Sequence, residues 1–308
     1  MNFEKWNEIH QNQTEKDVKQ LLQAFDELLK MIVLYVSLES LKKGLFSFEA
    51  YAVLNQKINL LFNKFNAKTI SKIDFFVDKH YRLSQNKFTG ILAKTTSHKD
   101  VVQELLRKDR KRLLSDRVWK INAQFRQEIE MALDVAIADG VPASQLATHL
   151  KQYLKNPDAL FRKYRDKNGV LQLSKNAQAY HPGKGVYRSA YKNAERLART
   201  EINIAYRSAD IERWQGLDFI AGYEIKRSRN LSPCPICDMM AGTYPKSFVW
   251  VGNHPNCRCY MVPIFKSDIG DKPLKINQKL TQWLSKNTSN IPKNKPMFLW
   301  GMEIKKAS

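Results

Sequence analysis

All four cysteines of the chain lie within one window of 26 residues, and the 233 residues before that window contain none. The window holds the motif CxxC, with Cys234 and Cys237, and then the motif HxxCxC, with His254, Cys257 and Cys259. Two cysteines separated by two residues can place both sulfurs on one ion, and a structural Zn²⁺ takes four sulfur or imidazole ligands in a tetrahedron. The spacing therefore predicts a loop that is stapled by a metal ion.

These five candidate ligands exceed the four positions of a tetrahedral site, so the sequence leaves open whether His254 or one of the cysteines is left out. Arg258, between the last two thiols, is placed to stabilise thiolate charge. Two alternatives to a metal also stay open, namely a disulfide within the window and reduced thiols that only pack. The pattern favours a structural Zn²⁺ over both.

Length and hydropathy predict a folded protein without a membrane span. A chain of 308 residues with 43% hydrophobic content can bury the core of one large or two ordinary domains. The charged start at residues 1–8 lacks the apolar segment of a signal peptide, and the longest strongly apolar run, 31–36, is too short to cross a bilayer. We therefore expect a soluble protein that is kept in a reducing compartment.

The chain is strongly basic, with 51 lysines and arginines against 30 acidic residues and a net charge of +21. A polyanion is the expected partner, nucleic acid is the leading candidate, and double-stranded DNA is the form of nucleic acid expected. The densest basic stretch comprises Arg107, Lys108, Arg110, Lys111, Arg112 and Arg117. Such residues spread around a helix contact phosphates without reading bases, so binding is expected to be non-specific and weakened by salt. The alternative is that this stretch is only a solvated helix face.

Apolar residues at helical spacing, with few glycines or prolines, predict that residues 14–138 are mostly helical. A break at 43–47, with Ser47 as N-cap, separates a first helix from a second, and a third is expected over 70–83. The longest helix is expected to run from about residue 99 to 139 and to stop at Gly140.

Residues 186–216 are predicted to form a further helix. After it, the spacing of apolar residues changes to the alternation typical of strands, at 219–226, 247–250 and 259–265. The fold class is therefore α+β and predominantly helical, with a small antiparallel sheet beside a Cys/His loop like a zinc knuckle. The expected division is a helical basic domain at 1–140, a connector at 141–185, the α+β module at 186–266 and a basic, partly disordered tail at 267–308 that orders only against a partner.

Glu201 lies within the apolar face of the predicted helix at 186–216, where a carboxylate needs a partner. Arg199, Arg207 and Arg258 are the candidates, and a structural ion pair among Arg199, Glu201 and Arg258 is the favoured interpretation. A catalytic acid is less favoured, because no second carboxylate or histidine of clear role accompanies Glu201 in the sequence.

The order of these motifs resembles the Mu F-like minor head (head morphogenesis) family of tailed bacteriophages. The resemblance covers roughly residues 140–266 and rests on Arg199-Thr-Glu in a long helix, then CxxC, then His-Pro-Asn-Cys-Arg-Cys leading into an apolar strand. It implies a non-enzymatic, low-copy capsid protein that is assembled in the host cytoplasm and resides in the virion. The implied partners are the portal vertex, the scaffold or the major capsid protein, together with packaged or ejected DNA.

Two other classes of protein compete with this interpretation. HNH-type nucleases also combine CxxC knuckles with a His- and Asn-rich element, but they need a general-base histidine and further ligands for a catalytic ion. No histidine follows His254 in this chain, and the nearest one before it is His181. A zinc-knuckle nucleic-acid-binding regulator would need base-reading residues on an exposed helix, which the sequence does not single out.

Overall fold

The computed structural model describes residues 2–38, 46–88, 101–138, 140–156, 163–165, 167–173, 180, 182–183, 185–228, 234–270, 274 and 277–287. The long helices are α1 (Phe3–Ser37), α2 (Ala52–Gln85), α3 (Val101–Ala138), α4 (Ala143–Lys155) and α5 (Ala190–Gln215). The short helices are α6 (Pro235–Met240), α7 (Lys266–Ile269) and α8 (Gln278–Asn287), with 3₁₀ turns at Phe48–Ala50 and Asn86–Phe88. The strands are β1 (Lys163–Arg165), β2 (Leu171–Leu173), β3 (Ile220–Lys226), β4 (Gly242–Pro245) and β5 (Tyr260–Phe265). The predicted α+β, mostly helical class is confirmed.

The C-terminal sheet has three antiparallel strands in the order β4-β3-β5. Strands β3 and β5 lie where the apolar alternation predicts them. The strand predicted over 247–250 is wrong, because the remaining strand of this sheet is β4. The backbone N–H of Phe248 donates to the carbonyl of Pro245 and closes a turn, so the chain leaves the ladder before residue 247. A separate hairpin pairs β1 with β2.

The predicted break between the second and third helices is wrong. The second and third predicted helices are a single helix, α2, because Ala52–Gln85 contains neither glycine nor proline and its buried face continues through Phe65, Ile73 and Phe76. Ser47 acts as an N-cap, as predicted, although it caps the 3₁₀ turn at Phe48–Ala50 rather than α2.

Helix α3 ends as the sequence predicts. Gly140 adopts a left-handed conformation with φ 67°, which favours glycine because it lacks a Cβ. The N–H groups of Gly140 and Val141 donate to the carbonyls of Ile137 and Ala136, the double closure that satisfies the last carbonyls of a helix.

The chain forms two compact units that are each drawn from separate segments. Unit 1 comprises residues 1–17, 73–97 and 196–308, and unit 2 comprises residues 18–72 and 98–195. Sequence patterns along the chain do not anticipate this interleaving, and the predicted domain boundaries themselves stay a prediction. In the described part of the chain, no helix is both long and apolar enough to cross a bilayer.

Unit 1 has a core that includes both cysteine motifs. The sheet packs with the end of α5 through fully buried Trp214, Tyr223, Tyr244 and Trp250. Part of the predicted tail joins this core, since Leu280 of α8 is buried in it. The expectation that 267–308 orders only against a partner is therefore wrong for residues 277–287, whose apolar side chains pack on the protein's own sheet.

Unit 2 is a helical unit built around aromatic side chains. The ring of Phe25 on α1 lies 4.8 Å from Phe65 on α2 and 5.0 Å from Phe125 on α3, between ring centres. The buried carboxylate of Glu128 accepts the backbone N–H of Ala190 at 3.0 Å, at the first residue of α5. Burial raises the pKa of Glu128 to about 7, and the hydrogen bonds from Ala190, Gln124 and Tyr180 oppose that rise.

Candidate metal centre

Two tight turns position the candidate ligands in unit 1. Cys234 is the N-cap of α6, and Pro235 at the first helical position fixes the backbone there, so that Cys237 follows one helical turn later. In the second motif the N–H of Cys257 donates to the carbonyl of His254 at 3.1 Å. Asn256 supports this turn with a left-handed φ of 63°, which asparagine tolerates better than most residues.

The structure brings the five predicted ligands into two groups that share one cysteine. Cys234, Cys237 and His254 form one group of donor atoms that lie within 4.8 Å of one another, and Cys237, Cys257 and Cys259 form a second group by the same measure. Cys237 is shared, so the two groups are continuous. Within the first group, Nε2 of His254 lies 3.3 Å from Sγ of Cys234 and 3.2 Å from Sγ of Cys237. These groups can hold a metal ion.

The hydrogen bonds of His254 orient its ring for metal binding. Nδ1 lies 2.8 Å from the carbonyl oxygen of Pro255. A carbonyl oxygen only accepts, so Nδ1 carries the proton, and Nε2 presents its lone pair to the two sulfurs when the ring is neutral. Metal-binding histidines typically fix their tautomer by such a bond from the other ring nitrogen.

The four cysteines are free thiols, and all but Cys234 are buried. Hydrogen bonds from Cys237 and Cys259 hold the pKa of Cys257 well below its usual range, and the positive charge of Arg207 adds to this effect. The pKa of Cys259 is raised, since it shares its proton with Cys237 and Cys257 and is itself buried. Thiolate is the form that binds metal, so Cys257 is already biased towards ligation.

Arg207 organises the loop that carries the last two thiols. Its buried guanidinium donates to the carbonyls of Val251 at 2.9 Å and of Cys257 and Cys259 at 2.7 Å each, and it lies 4.7 Å from the ring centre of Trp250. One planar side chain thus fixes three backbone positions around the ligands. From the sequence, Arg207 is predicted only as a candidate partner of Glu201.

Helix α5 presents other polar residues to this loop. The amide of Asn203 donates to the carbonyl of Cys257 at 3.1 Å, and the hydroxyl of Thr200 accepts the N–H of Asn256 at 2.9 Å. Sequence reasoning missed both contacts. The available signal was the spacing of positions 200, 203 and 207, which puts three polar side chains on one face of α5.

The ion pairs around the loop use the carboxylate of Glu15, which lies far from the loop in the sequence. Arg199 lies 2.5 Å from Glu15, and Arg258 lies 3.1 Å from the other oxygen of the same carboxylate. Arg207 is the cation whose charge lowers the pKa of Cys257. Arg258, for which the sequence predicts that role, pairs with Glu15 instead. The role of Glu201, which is buried, stays a prediction.

A chain of buried hydrogen bonds leads from α1 and α2 to the same loop. Oδ2 of Asp17 lies 2.9 Å from Nε2 of His80. The Nδ1 atoms of His80 and His10 are 2.9 Å apart, and Nε2 of His10 lies 2.7 Å from Oδ1 of Asn203. Because Asn203 also donates to Cys257, this network ends on the backbone of a candidate ligand.

The three contacts of this network require one proton more than two neutral imidazoles supply. Its three contacts need three protons, because the carboxylate and amide oxygens at its two ends only accept. Burial, with the nearby charge of His80, holds the pKa of His10 well below its usual value. Burial alone would raise the pKa of Asp17, but hydrogen bonds from His80 and Lys79 outweigh it and lower the pKa.

We expect acid to destabilise unit 1 through His10. Its folded-state pKa lies below the unfolded value of about 6.5, so the unfolded chain binds the proton first and the free energy of unfolding falls as pH drops below that value. One such group contributes a slope of at most about 1.4 kcal/mol per pH unit. Urea unfolding at pH 7.5, 6.5 and 5.5 measures the slope.

The variant His10→Gln isolates this contribution, because it cannot titrate while the other histidines remain. We expect it to be less stable than the parent at pH 7.5 but to lose less stability on acidification. Equal slopes in the two proteins would show that His10 is not the titrating group.

The predicted DNA-contacting residues are only partly described. The side chains of Arg107, Lys108, Arg110, Lys111 and Arg112 lie outside the described residues, although the backbone there belongs to α3. Arg117 is exposed on the same helix. The nucleic-acid contact therefore stays a prediction.

The known proteins offer no further guide to this centre. Comparison with family models, with curated proteins and with solved structures finds no match to this chain. The Cys/His groups and the contacts around them are thus the features on which a functional conclusion can rest.

Proposed function

We propose that the chain is a non-enzymatic minor head protein of a tailed bacteriophage, whose Zn²⁺-stapled loop locks the C-terminal sheet onto α5. The observation that carries the proposal is the pair of donor groups, joined through Cys237, that brings together Cys234, Cys237, His254, Cys257 and Cys259. The same motifs, in the same order, carry the resemblance to the Mu F-like family. Thiolates and an imidazole suit zinc better than calcium or magnesium, which prefer oxygen ligands.

A structural role fits this donor set better than a catalytic one. Catalytic zinc keeps three protein ligands and an open position for water or substrate, whereas the two groups here share Cys237 and together offer five donors, one more than a closed four-coordinate site needs. A metal bound here would supply cross-linking, since it would join α6, which follows Cys234, to β5, which follows Cys259. A sheet of three short strands gains much of its stability from such a staple.

The contacts of His254 argue against an HNH-type nuclease. A general base needs a ring nitrogen that can take a proton from a water molecule in the site. In this chain Nδ1 of His254 is bound to the carbonyl of Pro255, and Nε2 faces the sulfurs of Cys234 and Cys237. A zinc-knuckle DNA-binding protein is therefore the better alternative, and the net charge of +21 favours it.

On this proposal the protein belongs to the virion, at the portal vertex or inside the capsid, after assembly in the host cytoplasm. Its protein partners are the portal, the scaffold or the major capsid protein. Its basic excess contacts packaged or ejected double-stranded DNA without sequence preference.

Counting the chain in phage particles tests the proposal. We expect quantitative mass spectrometry of gradient-purified virions and of empty proheads, from the phage whose genome encodes the chain, to find a low and reproducible copy number relative to the portal. Retention or loss in emptied particles reports whether the protein leaves with the DNA. Absence from both kinds of particle would overturn the minor-head proposal and favour the DNA-binding alternative.

A further inference from the structure

Helices α1 and α2 run antiparallel within unit 2, and two contacts set their register. The rings of Phe25 and Phe65 have centres 4.8 Å apart, and Nζ of Lys57 lies 5.5 Å from the ring centre of Tyr35. The first contact joins residue 25 of α1 to residue 65 of α2, and the second joins residue 35 to residue 57, so the residue numbers rise along α1 while they fall along α2. When this register is extended along both helices, Met31 on the first helix lies level with Leu60 on α2, and Leu38 lies level with Val53.

Large apolar side chains occupy these positions on the outer surface. On the first helix they lie at i and i+3 of α1 and at i+7 in the turn that follows its last residue, where the N–H of Leu38 donates to the carbonyl of Tyr35. On α2 they lie at i and i+7, so each set continues one helix face. Their exposed fractions range from 41% to 73%. These side chains, which we call the α1–α2 stripe, are Met31, Leu34, Leu38, Val53 and Leu60. Scattered exposed apolar residues are normal, but five in register on neighbouring helices form a continuous patch.

The rim of the α1–α2 stripe is cationic. Lys30 lies one turn before Leu34, Lys64 lies one turn after Leu60, and both are exposed. Lys57 stands level with Leu34 between the two ends. The acidic residue at this end of the stripe, Glu27, is already bound to Lys68 at 3.0 Å.

We propose that the α1–α2 stripe is a docking site for an acidic amphipathic helix of a partner protein. Apolar residues at i, i+3 or i+4 and i+7 of such a helix would fill the stripe, and flanking aspartates or glutamates would face the lysines. The stripe extends about 10 Å along each helix, which matches two turns of a partner helix. This inference stands whether or not the chain is a virion protein.

Other occupants fit the stripe less well. A second copy docked by two-fold symmetry would bring its Lys30, Lys57 and Lys64 against the same cationic rim, which opposes association. Nucleic acid gains little from leucine, methionine and valine, because bases stack on aromatic side chains. A membrane surface normally binds a longer apolar face than two helical turns provide.

A designed peptide tests the site directly on the full chain. The peptide is a fluorescein-labelled 21-residue helix with leucines at i, i+4 and i+7 and glutamates on both flanks, and its control is a scrambled peptide of the same composition. We expect fluorescence anisotropy to show saturable binding in the range of about 1–50 µM that weakens with salt. The scrambled peptide should bind at least ten-fold more weakly.

Substitutions assign that binding to the stripe. We expect Leu34→Asp and Leu60→Asp each to weaken binding at least ten-fold without lowering the melting temperature, because both side chains are more than half exposed. Lys30→Glu should weaken it as well. The matched control is Trp119→Asp on α3, which changes an exposed apolar residue off the stripe and should leave binding unchanged.

Several outcomes would overturn the inference. They are absence of saturable peptide binding up to about 100 µM, equal binding of the scrambled peptide, and unchanged binding by Leu34→Asp. Sedimentation showing a dimer that Leu34→Asp dissociates would assign the stripe to a second copy. Binding to phosphatidylserine vesicles that the same substitution abolishes would assign it to a membrane surface.

Discussion

The double variant Cys257→Ser with Cys259→Ser should lose stoichiometric zinc and unfold the C-terminal sheet at temperatures where the parent stays folded. Both thiols lie in the buried core of unit 1, immediately before β5. Structural zinc contributes on the order of 10–16 kcal/mol in small zinc-binding peptides, which is comparable to the whole stability of a typical domain. Serine oxygens are poor replacements for thiolates as zinc ligands, so most of that stabilisation should disappear.

Metal content and proteolysis measure this loss. The parent, purified from zinc-supplemented medium, should contain about one zinc per chain. The double variant should contain far less and should be cleaved rapidly between residues 234 and 270. Removing zinc from the parent with a chelator should have the same effect, which zinc but not magnesium reverses.

Arg258→Gln is the matched control for this experiment, because Arg258 lies between the two cysteines but contacts Glu15. It should retain the metal and the protease resistance of the parent. A parent without zinc, or a double variant with the parent's metal content and melting temperature, would contradict the metal staple.

The cysteine centre could be predicted from sequence because its spacing is local. CxxC and HxxCxC each bring their donors close together within a short stretch of backbone, so the meeting of the two motifs depended only on β4 and the turns between them. The remaining contacts could not be predicted in this way. Glu15 lies 184 residues from Arg199 and 243 from Arg258, and His10 lies 193 residues from Asn203. Helix periodicity predicts that such side chains face inward, but it does not identify their partners.

Composition misled the prediction at the C-terminal end. Residues 266–308 are rich in lysine, asparagine and serine, a composition typical of disordered tails. Yet Leu280, Trp283 and Leu284 lie at i, i+3 and i+4 of α8 and pack on the core of unit 1. Asn277 adds hydrogen bonds to the carbonyls of Met239 and Ala241 just before this helix. Three well-spaced apolar residues and one polar anchor therefore outweigh the average composition of the segment.

Arg207→Met should be the most damaging substitution outside the ligands. It removes the donor to three backbone carbonyls of the metal loop, which are those of Val251, Cys257 and Cys259. It also removes a buried positive charge next to a site that carries a net charge of −1 when Zn²⁺ binds three thiolates and one imidazole. Loss of one member of a buried charged network typically costs about 3–5 kcal/mol, and loss of an outer-shell contact weakens metal binding about 10–100-fold.

Two measurements separate these effects. Urea unfolding of the zinc-loaded protein gives the loss of stability, and competition with a chromogenic chelator gives the affinity for zinc. Arg213→Met is the matched control on the same helix, since Arg213 is only half-buried and donates to the carbonyl of Gln85. It should cost about 1–2 kcal/mol and leave zinc affinity unchanged.

The pattern across these variants distinguishes an organiser of the metal loop from an ordinary core residue. Arg207→Met should lower both stability and zinc affinity, and Arg207→Lys should recover little, because one ammonium group cannot reach three acceptors that a planar guanidinium spans. A loss of stability in Arg207→Met with full zinc affinity would assign Arg207 to core packing alone. Parent-like values of both quantities would show that its three hydrogen bonds are dispensable, and the loop would then depend on the metal and on Asn203.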